Sequence, residues 1–161
     1  MKKVMIVLAA AFFTAQFANA QGPPAKVKNY LDRNYPQWQI SGSFVVDSPV
    51  REKRIVTGDF NGDKKTDYAV VLSKGERIYA IALLGTRNSF TAVNLAAQKN
   101  GWIAGIGLAA KGQRVFLSES GDGSSGKYFV LKHDAISLYD GEGMSQVFYW
   151  QGGRFLSANE Y

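Results

Sequence analysis

Two runs of this chain, Tyr68 to Leu72 and Ile78 to Leu84, are apolar at nearly every position. Runs this short, bounded by turn residues, read as strands buried on both faces, so a second layer or a helix must cover them. The same short-run pattern, rich in Val, Ile, Phe and Tyr, fills the chain after Pro36. It predicts strands at Trp38 to Val46, Arg54 to Phe60, Tyr68 to Ser73, Ile78 to Leu84, Phe90 to Leu95 and Ala104 to Ala109. Further strands are predicted at Val115 to Glu119, Tyr128 to Leu131, Ala135 to Tyr139, Gln146 to Trp150 and Arg154 to Leu156. Turn material separates them, as at Ser73-Lys74-Gly75-Glu76, Gly85-Thr86-Arg87-Asn88 and Lys111-Gly112-Gln113. The plainest hairpin is Phe148-Tyr149-Trp150, a Gln151-Gly152-Gly153 turn, then Arg154-Phe155-Leu156.

One segment departs from this period. Val27, Tyr30, Leu31 and Asn34 fall near i, i+3, i+4 and i+7, so Pro23 to Tyr35 is expected to be an amphipathic helix that Pro36 stops. The fold class expected is mainly β: a sandwich or a strongly curved, propeller-blade-like antiparallel sheet with one short N-terminal helix.

The first twenty residues stand apart. Lys2 and Lys3 precede an apolar run from Val4 to Phe13, and Ala18-Asn19-Ala20 supplies small residues at a cleavage site. This is the pattern of a secretory signal peptide, with an apolar run shorter than the roughly 20 residues that span a bilayer. Cleavage is expected after Ala20. Residues 21–161 would then form one β-rich domain, periplasmic or secreted, with no membrane span. The chain has no cysteine, so disulfides cannot supply its stability.

The formal charge is +6. Without Lys2 and Lys3 the 19 basic residues become 17, against 13 acidic, for a net +4. The bases are scattered, with no dense run interleaved with aromatics, so no nucleic-acid partner is expected.

Gly58-Asp59-Phe60-Asn61-Gly62-Asp63-Lys64-Lys65-Thr66-Asp67-Tyr68 places side-chain oxygens at Asp59, Asn61, Asp63 and Asp67. Calcium takes six to eight oxygen ligands, and a short loop with a donor at every second residue can fold them around one ion. Asp59, Asn61 and Asp63 occupy positions 1, 3 and 5 of such a loop. The backbone carbonyl of Lys65 falls at position 7 and Asp67 at position 9. Position 6 is Lys64, where glycine is usual, and position 12 is Val70 rather than glutamate. Apolar strands flank the loop on both sides, where an EF-hand would have helices. The alternative is an Asp/Asn/Gly-rich turn whose side chains simply hydrogen-bond the local backbone.

The stretch Ile55 to Val71 resembles the calcium loop of FG-GAP and VCBS-type repeats, which in that family sits within a β-sheet blade. The resemblance implies calcium (Ca2+) held by Asp59, Asn61, Asp63, Asp67 and the Lys65 carbonyl. It covers about 17 residues and one copy, too few for a closed propeller; the remainder is similar to small exported bacterial proteins carrying one such repeat.

No catalytic residues are assigned. His133, beside Asp134, is the single histidine, and no G-x-S-x-G motif accompanies it. An exposed turn histidine is expected there, with its neighbour Asp134 directed elsewhere. Glu119, Asp122, Asp140 and Glu142 stand near strand ends; paired carboxylates can hydrolyse glycosidic bonds, and Glu119-Ser120-Gly121-Asp122 offers a weak second cation site. Phe148 and Trp150 should share one sheet face, with Tyr149 on the other. Two readings follow: a non-enzymatic, calcium-stabilised module that binds a protein or glycan, and, second, a small hydrolase of cell-wall or polysaccharide substrates. The first is preferred, because no residue pattern requires the second.

Overall fold

Alternation of side chains across pleated strands sorts this chain into layers. The computed structural model describes residues 22–40, 54–99, 103, 105–118, 125–139 and 145–160. Its elements in order are α1 (Ala25–Asn34), β1 (Gln39–Ile40), β2 (Ile55–Gly58), β3 (Asp67–Lys74), β4 (Arg77–Gly85) and β5 (Phe90–Lys99). Then come β6 (Gly105–Ala109), β7 (Arg114–Ser118), β8 (Gly126–Val130), β9 (Ala135–Tyr139), β10 (Ser145–Gln151) and β11 (Arg154–Glu160). The fold is mainly β, sandwich-like and antiparallel, with one short helix. The segment expected to be a signal peptide lies outside the described residues, as do Glu119, Asp122, Asp140 and Glu142.

The first sheet runs β1-β3-β4-β5, with β2 also paired to β3. The second runs β11-β10-β9-β6, and β7 pairs with β8 as a separate hairpin. β3 and β4 are buried on both faces. One face supplies Ala69, Val71, Ala80, Ala82 and Leu84 to a core shared with Ile106, Ile136, Leu138 and Phe148 of the second sheet. The other face gives Val70, Leu72, Ile81 and Leu83 to a core closed by the helix. Val27 and Leu31, one turn apart on α1, are fully buried there, and the Tyr30 ring meets Phe90 edge-on at 5.5 Å. The reverse face of the second sheet forms a third core, where Ala135, Val147 and Ala158 meet Val115 of β7 and Leu131 beyond β8. The order of layers is therefore helix, sheet, sheet, hairpin.

Several boundaries differ from expectation, β11 running on to Glu160 among them, and three differences have a local reason. β2 stops at Gly58, because the chain turns there into the Asp59 loop. β5 continues to Lys99 through a bulge: Ala80 pairs with Ala96 and Ile81 with Asn94, so Leu95 is an extra residue. The bulge lets Leu95 and Ala96 both pack on the inter-sheet core. In the last hairpin Gln151 pairs with Arg154, leaving Gly152 and Gly153 as a two-residue turn at φ 60° and 83°. Positive φ at both central positions gives the twist that matches paired strands.

Candidate functional site

The loop between β2 and β3 closes on the pair Gly58↔Asp67. Asp67 is fully buried. Its Oδ2 accepts the Phe60 N–H at 2.9 Å and its Oδ1 the Gly85 N–H at 2.7 Å. One carboxylate thus ties the loop entry to the end of β4. Burial pushes the Asp67 carboxyl above the usual range, opposed by the backbone N–H groups it accepts. The Phe60 ring, also fully buried, anchors the loop in the inter-sheet core.

Above this base the chain makes two successive Asx turns. Asn61 Oδ1 accepts the Asp63 N–H at 3.0 Å, and Asp63 Oδ1 accepts the Lys65 N–H at 2.9 Å. Asp59 Oδ2 accepts the Lys64 N–H across the loop at 3.1 Å. Gly62 and Lys64 both adopt left-handed backbone, φ 79° and 62°. Lys64 therefore keeps the conformation for which calcium loops ordinarily use glycine, at a cost of roughly 1–2 kcal/mol. Lys65 Nζ pairs with Asp63 Oδ2 at 2.7 Å, and this hydrogen bond holds the exposed Asp63 carboxyl below the usual range.

All the donors singled out from the sequence lie in this one loop, and they do not play equal parts. Asp67 engages both oxygens with backbone N–H groups, and Asp63 engages both with Lys65. Among the described residues no three His, Cys, Asp or Glu side chains gather as a metal-holding group. Asp59 differs: its Oδ1 is buried and has no hydrogen-bond partner. A carboxylate oxygen left so is costly, on the order of 1–3 kcal/mol or more. Asp59 Oδ1 is thus an unmet acceptor, and a hard cation fits that donor chemistry.

Two residues hold the loop from outside it, and sequence reasoning missed both. Asp134, in the link between β8 and β9, accepts the Asp59 N–H at 3.1 Å through Oδ2 and the Lys111 N–H at 3.0 Å through Oδ1. It bridges the loop to the turn between β6 and β7. His133 is half-buried, and its ring lies so close on Gly62 that a Cβ there has no room. The expected exposed histidine is thus a packing partner of the loop, and its neighbour faces the same loop. The only sequence trace of this contact is the glycines: a Cβ at Gly58 would crowd Asp134 and Phe60, as one at Gly62 would crowd His133.

The aromatic alternation is as expected. Phe148 and Trp150 pack on the inter-sheet core, Trp150 edge-on to Phe155 at 5.1 Å. Tyr149 packs on the third core beside Phe129, ring centroids 4.7 Å apart. No helix among the described residues is long and apolar enough to cross a membrane. No family model, no curated protein and no solved structure matches the chain.

Proposed function

We propose that this protein is an exported, calcium-stabilised binding module of the FG-GAP/VCBS type, carrying a protein or glycan partner on its loops and aromatic surface. The observation that carries the reading is the buried, unpartnered Asp59 Oδ1 at the base of a loop built from Asx turns with a left-handed residue at its sixth position. Asp59, Asn61, Asp63, Asp67 and the Lys65 carbonyl would hold the ion. Calcium would neutralise carboxylates that otherwise repel one another within nine residues. The chain's own contribution is positional. Asp67 fixes the loop base to β4, and Asp134 fixes Asp59 to the second sheet. Lys65 balances Asp63 and would have to release it to an ion.

Calcium titration by calorimetry on the mature protein tests this, with Asp59→Ala and Asp63→Ala as controls. A saturable response in the wild type that both variants lose supports it. An equal response in all three proteins, or none in any, overturns it.

A further inference from the structure

We propose that Asn61-Gly62, against which the His133 ring packs, is a self-modification site where the Asn61 amide is converted to aspartate or isoaspartate. The step needs no ion, so it stands apart from the reading of the loop as a calcium site.

Such a conversion needs a backbone nitrogen held beside the side-chain amide, a group to take its proton, and a donor for the oxygen that becomes negative. The loop brings all three together. The Asx turn folds the Asn61 side chain back along the Gly62 peptide, and its Oδ1 accepts the Asp63 N–H at 3.0 Å. That N–H sits where negative charge develops as the carbonyl is attacked. Gly62 has no side chain to shield its nitrogen, and its N–H meets no acceptor among the described residues. The His133 ring turns its nitrogen edge to Gly62: Cε1, Nδ1 and Nε2 are the atoms that a Cβ there would strike. An imidazole so placed can take the Gly62 proton directly or through one water. Asn29, Asn34, Asn88 and Asn94 are each followed by a residue with a side chain, and Asn100-Gly101 lies outside the described residues.

The Gly62 nitrogen bonds to Asn61 Cγ, the Cγ–Nδ2 bond breaks, and ammonia leaves with the proton that His133 took. Water then opens the cyclic imide at either carbonyl. One opening leaves aspartate, which adds a carboxylate to a loop that already holds Asp59, Asp63 and Asp67. The other leaves isoaspartate, which lengthens the main chain by a carbon and breaks the every-second-residue spacing of the loop oxygens.

The test follows the amide and acid forms of the Asn61 peptide by mass spectrometry, in intact protein incubated in chelator and in the same chain unfolded in urea. The folded protein should convert Asn61 at least about tenfold faster than the unfolded chain, with Asn88 and Asn94 remaining amides. His133→Ala should slow the folded rate at least about tenfold, and added imidazole should restore much of it. A change that merely loosens the packing on Gly62 is not rescued in this way. Folded Asn61 that stays an amide, or converts no faster than in urea, overturns the proposal, and that comparison needs no variant. So does a His133→Ala protein, its melting transition kept, that converts at the wild-type rate or that imidazole fails to restore.

Discussion

Asp67 shows how a single carboxylate can serve as a structural brace. Replacing it with Asn leaves one of its two backbone N–H donors facing an amide N–H₂ in a buried place, so Asp67→Asn should destabilise the protein by about 1–3 kcal/mol in chemical denaturation. Its titration has a definite sign. Burial raises the folded-state value above 3.8, so in chelator the folded protein holds this proton more tightly than the unfolded chain. The Asp67 contribution to stability therefore falls as pH rises from about 3.8 through the raised value. Asp63 acts oppositely: its carboxyl is lowered by Lys65, so its contribution is present above 3.8 and fades as pH falls through the lowered value. Being exposed, that pair contributes little. Melts across pH 3 to 7 in chelator, compared with Asp67→Asn, separate the two. Lys64→Gly removes the left-handed strain and should stabilise the loop by up to about 1 kcal/mol, and, if the loop holds calcium, tighten that binding. At this scale the sequence discloses what is local. Asp59, Asn61 and Asp63 are legible because their partners lie within five residues; Asp134 was not, because it meets Asp59 from 75 residues away.

Elements were more legible than contacts. The period of two across the strands and of 3.6 across α1 is written in the residues themselves, so the helix and the succession of strands emerge from pattern alone. Boundaries are set elsewhere. No local signal marks the Leu95 bulge, and the Ala96-Ala97-Gln98-Lys99 end of β5 is a strand because β4 pairs with it, not because those residues prefer to be one. The helix depends on burial, not on its own ends: Pro24 offers no side-chain cap and the first turn carries no acid. Leu31→Ala should accordingly cost about 2–5 kcal/mol, read in urea unfolding. Gly152→Ala or Gly153→Ala, each at a positive φ, should cost roughly 1 kcal/mol by the same measurement.

At the level of the whole molecule, the layered order explains why two of the strands have no polar face. β3 and β4 lie between the helix and the second sheet, and β9 and β10 between the first sheet and the β7–β8 hairpin. That stacking could be inferred only in outline, as a need for cover, because which element provides cover is decided by topology. If the Asp59 loop holds calcium, saturation at about 100 times Kd should add about 2.7 kcal/mol of stability. Differential scanning should then show a melting point several degrees higher, with the gain absent in Asp59→Ala. The contact of His133 with Gly62 carries one more consequence. The imidazole packs on the Asp59 loop and is also part of the wall of the cleft beside Phe129 and Tyr149. If the loop holds an ion and the cleft a ligand, the shared ring couples them, and whatever factor one adds to the affinity of the other is returned in full.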